Sequence, residues 1–173
     1  MHKCKEVGMD YFESAKNCYQ SVVEIDASPE QIFECFENAE SWPAWAPPIT
    51  HVEWTSPQPF GLGTTRTVSM IAGLVGDEVF IAWDYPKRMA FCFTHSSQSL
   101  VESFAEDYSL TPLENGKTQV TWTMAMTAKG FGNVTMALFG PFMRAANQWM
   151  FNRFKRYVEQ HVRQNVSSNT APN

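Results

Sequence analysis

His95, Glu102 and Glu106 are side chains of the kinds that move protons, and Tyr108 follows two residues after the last of them. A carboxyl held in an apolar cavity has a raised pKa and can donate or abstract a proton near neutral pH. His95 beside Glu102 would form an oriented acid–base pair, and Tyr108 would add a hydroxyl on an otherwise apolar body. Glu106, Tyr108 and His95 are therefore the candidate catalytic groups. Arg66, which shares a strand face with Val68 and Met70, is a candidate clamp for an anion or a carbonyl. Asn147 is a rare polar group on an apolar helical face. Each also has a plainer reading. Carboxylates and a histidine near strand ends are solvated or ion-paired, and an arginine on a strand makes an outward salt bridge.

Bringing these groups into one space takes strands on one side and a helix on the other. Between Thr50 and Ala128 nearly every segment reads as strand. Val120, Trp122, Met124 and Met126 alternate with more polar neighbours and form the inner face of the last strand. Asn115-Gly116 is the strongest hairpin signal in the chain, and pairing through it sets Leu110, Tyr108, Glu106 and Phe104 on the same face. The pattern continues to Glu102, and a turn at Ser97 brings Glu102 near His95, which shares a face with Met89, Phe91 and Phe93. A one-residue slip or a bulge would turn these polar groups outward.

From Val134 to about Gln164, Phe139, Phe142, Met143, Ala146, Met150, Phe154, Tyr157, Val158 and His161 recur at helical spacing. Gly140-Pro141 implies a kink there or a fresh helix start at Pro141. One amphipathic helix on one large sheet is an α+β domain. The expected ligand-binding wall takes Arg66, Trp83, Phe91, Phe93, Glu102, Phe104, Trp122 and Met124 from the strands. The helix adds Phe139, Phe142, Met143, Asn147 and Met150. The alternative is that these bulky groups simply fill a core; Met and aromatics also suit an adaptable apolar site.

The bulk properties narrow the function classes. A chain of 173 residues makes one domain with a real core. A net charge of -5 with only 13 Lys and Arg gives no basic face for a nucleic-acid backbone. No run of about 18 apolar residues predicts a membrane span, and Met1 to Glu6 lacks the apolar stretch of a secretory signal. Cys4, Cys18, Cys35 and Cys92 form no CxxC pair and read as free thiols, so a cytoplasmic protein is expected. The four histidines are far apart, which gives no metal cluster. Gly61-Leu62-Gly63 lacks the third glycine and helix of a dinucleotide site, so no cofactor is expected. Nothing in the pattern assigns an oligomeric state.

Ser28, Pro29 and Gln31 make a strong helix start, a capping box with proline at the first helical position. Ile32, Phe33 and Phe36 follow as its apolar stripe. A strand, then Ala27-Ser28-Pro29-Glu30-Gln31-Ile32-Phe33, then Trp42-Pro43-Ala44-Trp45, then antiparallel strands and a long last helix resemble the START-like (SRPBCC, helix-grip) superfamily. Its polyketide cyclase/dehydrase members are the nearest type. Phe60-Gly61-Leu62-Gly63 and Tyr108-Ser109-Leu110-Thr111-Pro112 add to the likeness, which covers roughly Cys18 to Gln160. The resemblance implies a curved seven-stranded antiparallel sheet around the C-terminal helix, with two short helices after the first strand. Residues 1–17 read as an arm that lies outside the resemblance, 18–164 as the ligand-binding domain, and the polar stretch 165–173 as a disordered tail. Its partner would be a small hydrophobic ligand such as a polyketide, lipid or quinone. The alternatives are a cyclase or dehydratase acting on a bound carbonyl compound, and a protein-interaction module anchored by exposed Trp42 and Trp45.

Overall fold

The computed structural model describes residues 1–130 and 140–169, the last four as backbone only. Its strands are β1 (His2–Lys3), β2 (Asn17–Ile25), β3 (Ile49–Trp54), β4 (Thr65–Met70), β5 (Val75–Asp84), β6 (Arg88–Ser96), β7 (Val101–Pro112) and β8 (Thr118–Ala128). The helices are α1 (Tyr11–Ser14), α2 (Pro29–Glu37), α3 (Ser41–Trp45) and α4 (Gly140–Asn169). Seven strands run antiparallel in the order β2-β8-β7-β6-β5-β4-β3, and β1 joins as a short eighth on β6. The sheet curves around α4, the helix-grip arrangement.

The capping box closes as its spacing requires. The Gln31 backbone N–H donates to Ser28 Oγ at 3.4 Å, and Ser28 N–H donates to Gln31 Oε1 at 3.0 Å. This satisfies two backbone donors and starts α2 with its Ile32, Phe33, Phe36 face inward. Edge strand β2 alternates buried and exposed along its whole length. Gln148 of α4 both donates to and accepts from the Val22 backbone, which occupies part of that open edge.

Helix α4 has two unlike halves. Phe151, Phe154 and Val158 are fully buried and pack with Phe33, Phe36, Trp42 and Trp45 in one aromatic core. Phe36 stacks on Phe154 at 4.8 Å between ring centres. Trp42 and Trp45 are thus core residues, each 1% exposed, which corrects the expectation of exposed anchors. The C-terminal boundary of the helix also differs from the expected one. The predicted stretch 134–139 lies outside the described residues, as does Phe139. The helix begins at Gly140, with Pro141 in its first turn, and continues through Asn169 into the stretch expected to be a tail.

The N-terminal arm is bound to the sheet. β6 pairs with β7 only from Arg88 to Cys92, after which the two strands separate. The arm enters that gap: Cys4 N–H donates to Thr94 O at 2.9 Å and Lys5 N–H to Glu102 O at 2.8 Å. Further along, the Tyr11 hydroxyl meets Thr127 Oγ1 at 2.8 Å. The arm supplies the hydrogen bonds that the parted strands would otherwise lack.

Candidate functional site

Where β6 and β7 part, the first half of α4 stands off the sheet and leaves a cavity of about 380 Å³. Trp122, Met124 and Met126 of β8 form its floor with Phe104 and Glu106 of β7. Phe93 and Ser96 of β6 close one side, and Met70, Leu74 and Val75 from the β4–β5 hairpin close another. Met143, Asn147 and Met150 of α4 make the roof. Five methionines and four polar side chains (Ser96, Gln98, Glu106 and Asn147) contribute to this wall. Apolar, deformable surface with few polar points is what ligand pockets of about 300–1,000 Å³ offer.

Phe93 keeps its place through a glycine. A Cβ on Gly76 would stand 2.5 Å from Phe93 Cζ and 2.9 Å from both Cε atoms. The bare backbone of β5 therefore admits the ring, which then packs on Phe104 at 4.4 Å. Gly76→Ala is expected to tip Phe93 toward the cavity and destabilise the fold by about 1–3 kcal/mol through overpacking. Gly76→Ala/Phe93→Leu should recover most of that loss. Urea unfolding of the two variants checks it, and a single variant as stable as wild type would refute the clash.

Glu106 lies on the cavity wall and is 9% exposed. The Tyr108 hydroxyl donates to its Oε2 at 2.6 Å. Burial pushes the carboxyl up to about 7; the Tyr108 hydrogen bond pulls it down, Glu78 pushes it up and Arg66 pulls it down. The Trp122 indole N–H lies near enough to lower it slightly, yet it completes no hydrogen bond. Tyr108 itself is fully buried, and burial together with Glu106 raises its hydroxyl well above the ordinary value, so it remains a donor.

Arg66 is fully buried beyond this wall and does not line the cavity, which corrects its assignment as a ligand clamp. Its Nε donates to Glu78 Oε2 at 2.5 Å. Its guanidinium lies over the rings of Trp42 (4.1 Å), Phe91 (4.5 Å), Phe80 (5.2 Å) and Trp54 (5.4 Å). Such a cation is held by its carboxylate and by the negative faces of the rings. Phe91 belongs to this box and Trp83 to an aromatic cluster with Phe33, Phe60 and Phe80, so neither reaches the cavity.

Two bulges remove the other candidates. Pairing along β6 passes from Glu78↔Phe93 to Asp77↔His95 and skips Thr94. The extra residue reverses the alternation, so Ser96 faces inward and His95 lies outside at 44% exposure, 4.0 Å from Asp77. Pairing along β7 likewise skips Glu102, which brings Val101 to the cavity and turns Glu102 toward the arm. The acid–base pair expected of His95 and Glu102 does not form at the cavity. Phe142 is 69% exposed. At 100° per residue it stands about 110° from the centre of the arc shared by Met143, Asn147, Met150 and Phe154. Of the candidates, the structure gathers Glu106, Phe93, Phe104, Trp122, Met124, Met143, Asn147 and Met150 around one space, with Tyr108 behind Glu106.

Glu78 is the functional neighbour that the sequence reading omits. It alternates with Phe80 and faces Arg66 across the β4–β5 hairpin, so pairing through that hairpin is the signal that finds it. Among the described residues no group of three or more His, Cys, Asp or Glu is placed to hold a metal, and no helix is long and apolar enough to cross a membrane.

Known structures share this architecture at low identity. A START superfamily protein from Mycobacterium smegmatis aligns with a TM-score of 0.62 at 16% identity, covering 85% of this chain and 97% of its own. A Thermus thermophilus protein aligns at 0.65 and 16%, covering 82% and 96%. Sequence relatives are nearer: an uncharacterized protein of Mycobacterium tuberculosis is 40% identical over 159 residues, 92% of this chain and 95% of that one. The family model described as polyketide cyclase / dehydrase and lipid transport matches residues 18–159. That span runs from β2 into α4 and includes every residue of the cavity wall, and the chain belongs to that polyketide cyclase / dehydrase and lipid transport family.

Proposed function

We propose that this protein binds a small, largely hydrophobic molecule of polyketide, lipid or quinone type between the sheet and α4. The observation that carries this reading is the cavity itself, about 380 Å³ with a mostly apolar wall rich in methionine and aromatic side chains, beside a densely packed aromatic core. Transfer of apolar ligand surface there contributes roughly 25 cal/mol per Å², and Glu106 and Asn147 supply orienting polar contacts. The family's description, which includes lipid transport, supports the same reading.

Native mass spectrometry of protein purified from its own host tests it. A constant mass adduct, extractable into organic solvent, is expected. It should be lost in Met143→Trp, whose ring fills the roof of the cavity while the half-buried position tolerates the change. Bare protein from the host, together with no binding of apolar probes, would refute the reading. Glu106 favours one second reading, that the bound molecule is also a substrate. A carboxyl titrating near 7 can move a proton on a carbonyl compound, as cyclisation or dehydration requires. In that case the extracted molecule is turned over by wild type and bound but unchanged by Glu106→Gln.

A further inference from the structure

The buried charges on this side of the fold do not balance. Arg66, Glu78 and Glu106 are all inside, at 1%, 4% and 9% exposure. The guanidinium is permanently charged, and its 2.5 Å contact goes to Glu78. That pair neutralises itself. Glu106 is left with a tyrosine hydroxyl and no cation in contact. An unpaired carboxylate in apolar surroundings is costly, and it takes up a proton instead.

From this arrangement, which rests on the ligand-binding reading above, we infer the chemical class of the ligand. The cavity selects an uncharged hydrophobic molecule bearing a hydrogen-bond acceptor such as a carbonyl oxygen, and the protonated Glu106 carboxyl donates to that acceptor. The Tyr108 hydroxyl donates to Oε2, which leaves Oε1 as the oxygen available to carry the proton. The groups facing Glu106 from the surrounding elements are Tyr108 on β7, Glu78 on β5, Arg66 on β4 and Trp122 on β8. On α4 the cavity is faced by Met143, Asn147 and Met150, none of which titrates. Among the described residues no Lys or Arg lines the cavity; Arg66 lies behind the wall, its Nε on Glu78 and its Nη1 enclosed among the rings without a hydrogen-bond partner, so no lining cation receives a ligand carboxylate. A fatty-acid anion would meet an acidic group and no partner. A neutral ketone, ester or quinone meets a donor.

The carboxyl's titration near 7 fixes the pH dependence. Below 7 Glu106 is protonated in the free protein, and affinity for an acceptor ligand is constant. Above 7 the donor is lost, and affinity falls by up to tenfold per pH unit. Four probes with one ring system read this out by tryptophan fluorescence between pH 5.5 and 8.5: 2-acetylnaphthalene, 2-isopropylnaphthalene, 2-naphthoate and the 2-naphthylmethylammonium ion. Wild type is expected to bind the ketone with the stated loss above pH 7, to bind the hydrocarbon with no pH dependence, and to discriminate at least tenfold against the naphthoate. Glu106→Gln, whose amide remains a donor, should bind the ketone with a flat profile. The inference is overturned by a flat ketone profile in wild type, by naphthoate binding as well as the ketone, or by a preference for the ammonium ion that grows with pH. If none of the four binds, the hydrocarbon included, the cavity reading falls as well; if the hydrocarbon alone binds, only the acceptor preference does.

Discussion

Arg66→Met should unfold at a markedly lower urea concentration than wild type, with a loss of about 3–5 kcal/mol. The substitution leaves Glu78 at 4% exposure with its ion-pair partner removed. Removing one partner of a buried pair costs far more than the pair itself contributes, because the remaining charge has neither water nor a counter-ion. The four rings around the guanidinium also lose a cation, a further contribution of about 0.5–2 kcal/mol. Domains of this size are stable by about 5–15 kcal/mol in all, so the variant loses a large share of its margin. Arg66→Met/Glu78→Leu is expected to recover most of the loss, since two apolar side chains in the same space need no solvation. The cycle of wild type, both singles and the double isolates the coupling. If the Arg66 single costs under about 1 kcal/mol, the pair is not the closed unit that its geometry describes.

Glu106 and Tyr108 are legible in the sequence because local rules agree there. The Asn115-Gly116 turn, the alternation in β8 and the pairing Glu106↔Met124 all assign one face. His95 and Glu102 fail for one physical reason. A bulge adds a residue without disturbing composition, so alternation continued past Phe93 or before Ser103 yields the wrong face. Arg66 faces inward as its strand pattern implies, but its role depends on Glu78, whose partnership follows from hairpin register and not from residue type. Helix α4 shows a third limit. One apolar stripe serves both as core filler at Phe151 and Phe154 and as cavity roof at Met143 and Met150. Periodicity reports burial; whether the facing side chains reach across depends on how far the helix stands from the sheet. Phe142 is a wall candidate by a loose helical spacing, and its actual angle on the helix, about 110° from the centre of the roof, excludes it.

Glu106→Gln is expected to change how stability depends on pH by roughly 3 kcal/mol. The ordinary carboxyl value is 4.5, and burial holds the folded group at about 7. At pH 4 both folded and unfolded chains carry the proton, and the contribution of this group is fully present. Between 4.5 and 7 the unfolded chain releases its proton and the folded chain retains it. Stability therefore falls with rising pH by about 1.4 kcal/mol per unit, and levels off above 7. Glutamine has no proton to release, while its amide oxygen still accepts the Tyr108 hydroxyl. The variant should thus gain on wild type through that window and keep the gain at pH 8. Urea unfolding of both proteins from pH 4 to 8 measures the difference directly. Parallel curves would mean that Glu106 is hydrated in the folded protein, and both the pH-linked ligand preference and the acid–base reading would lose their basis. Saturating 2-acetylnaphthalene adds a sharper form of the experiment. A ligand that accepts the Glu106 proton in a hydrogen bond stabilises the protonated state, so the upper limit of the window must move above 7 in wild type and nothing comparable can occur in Glu106→Gln.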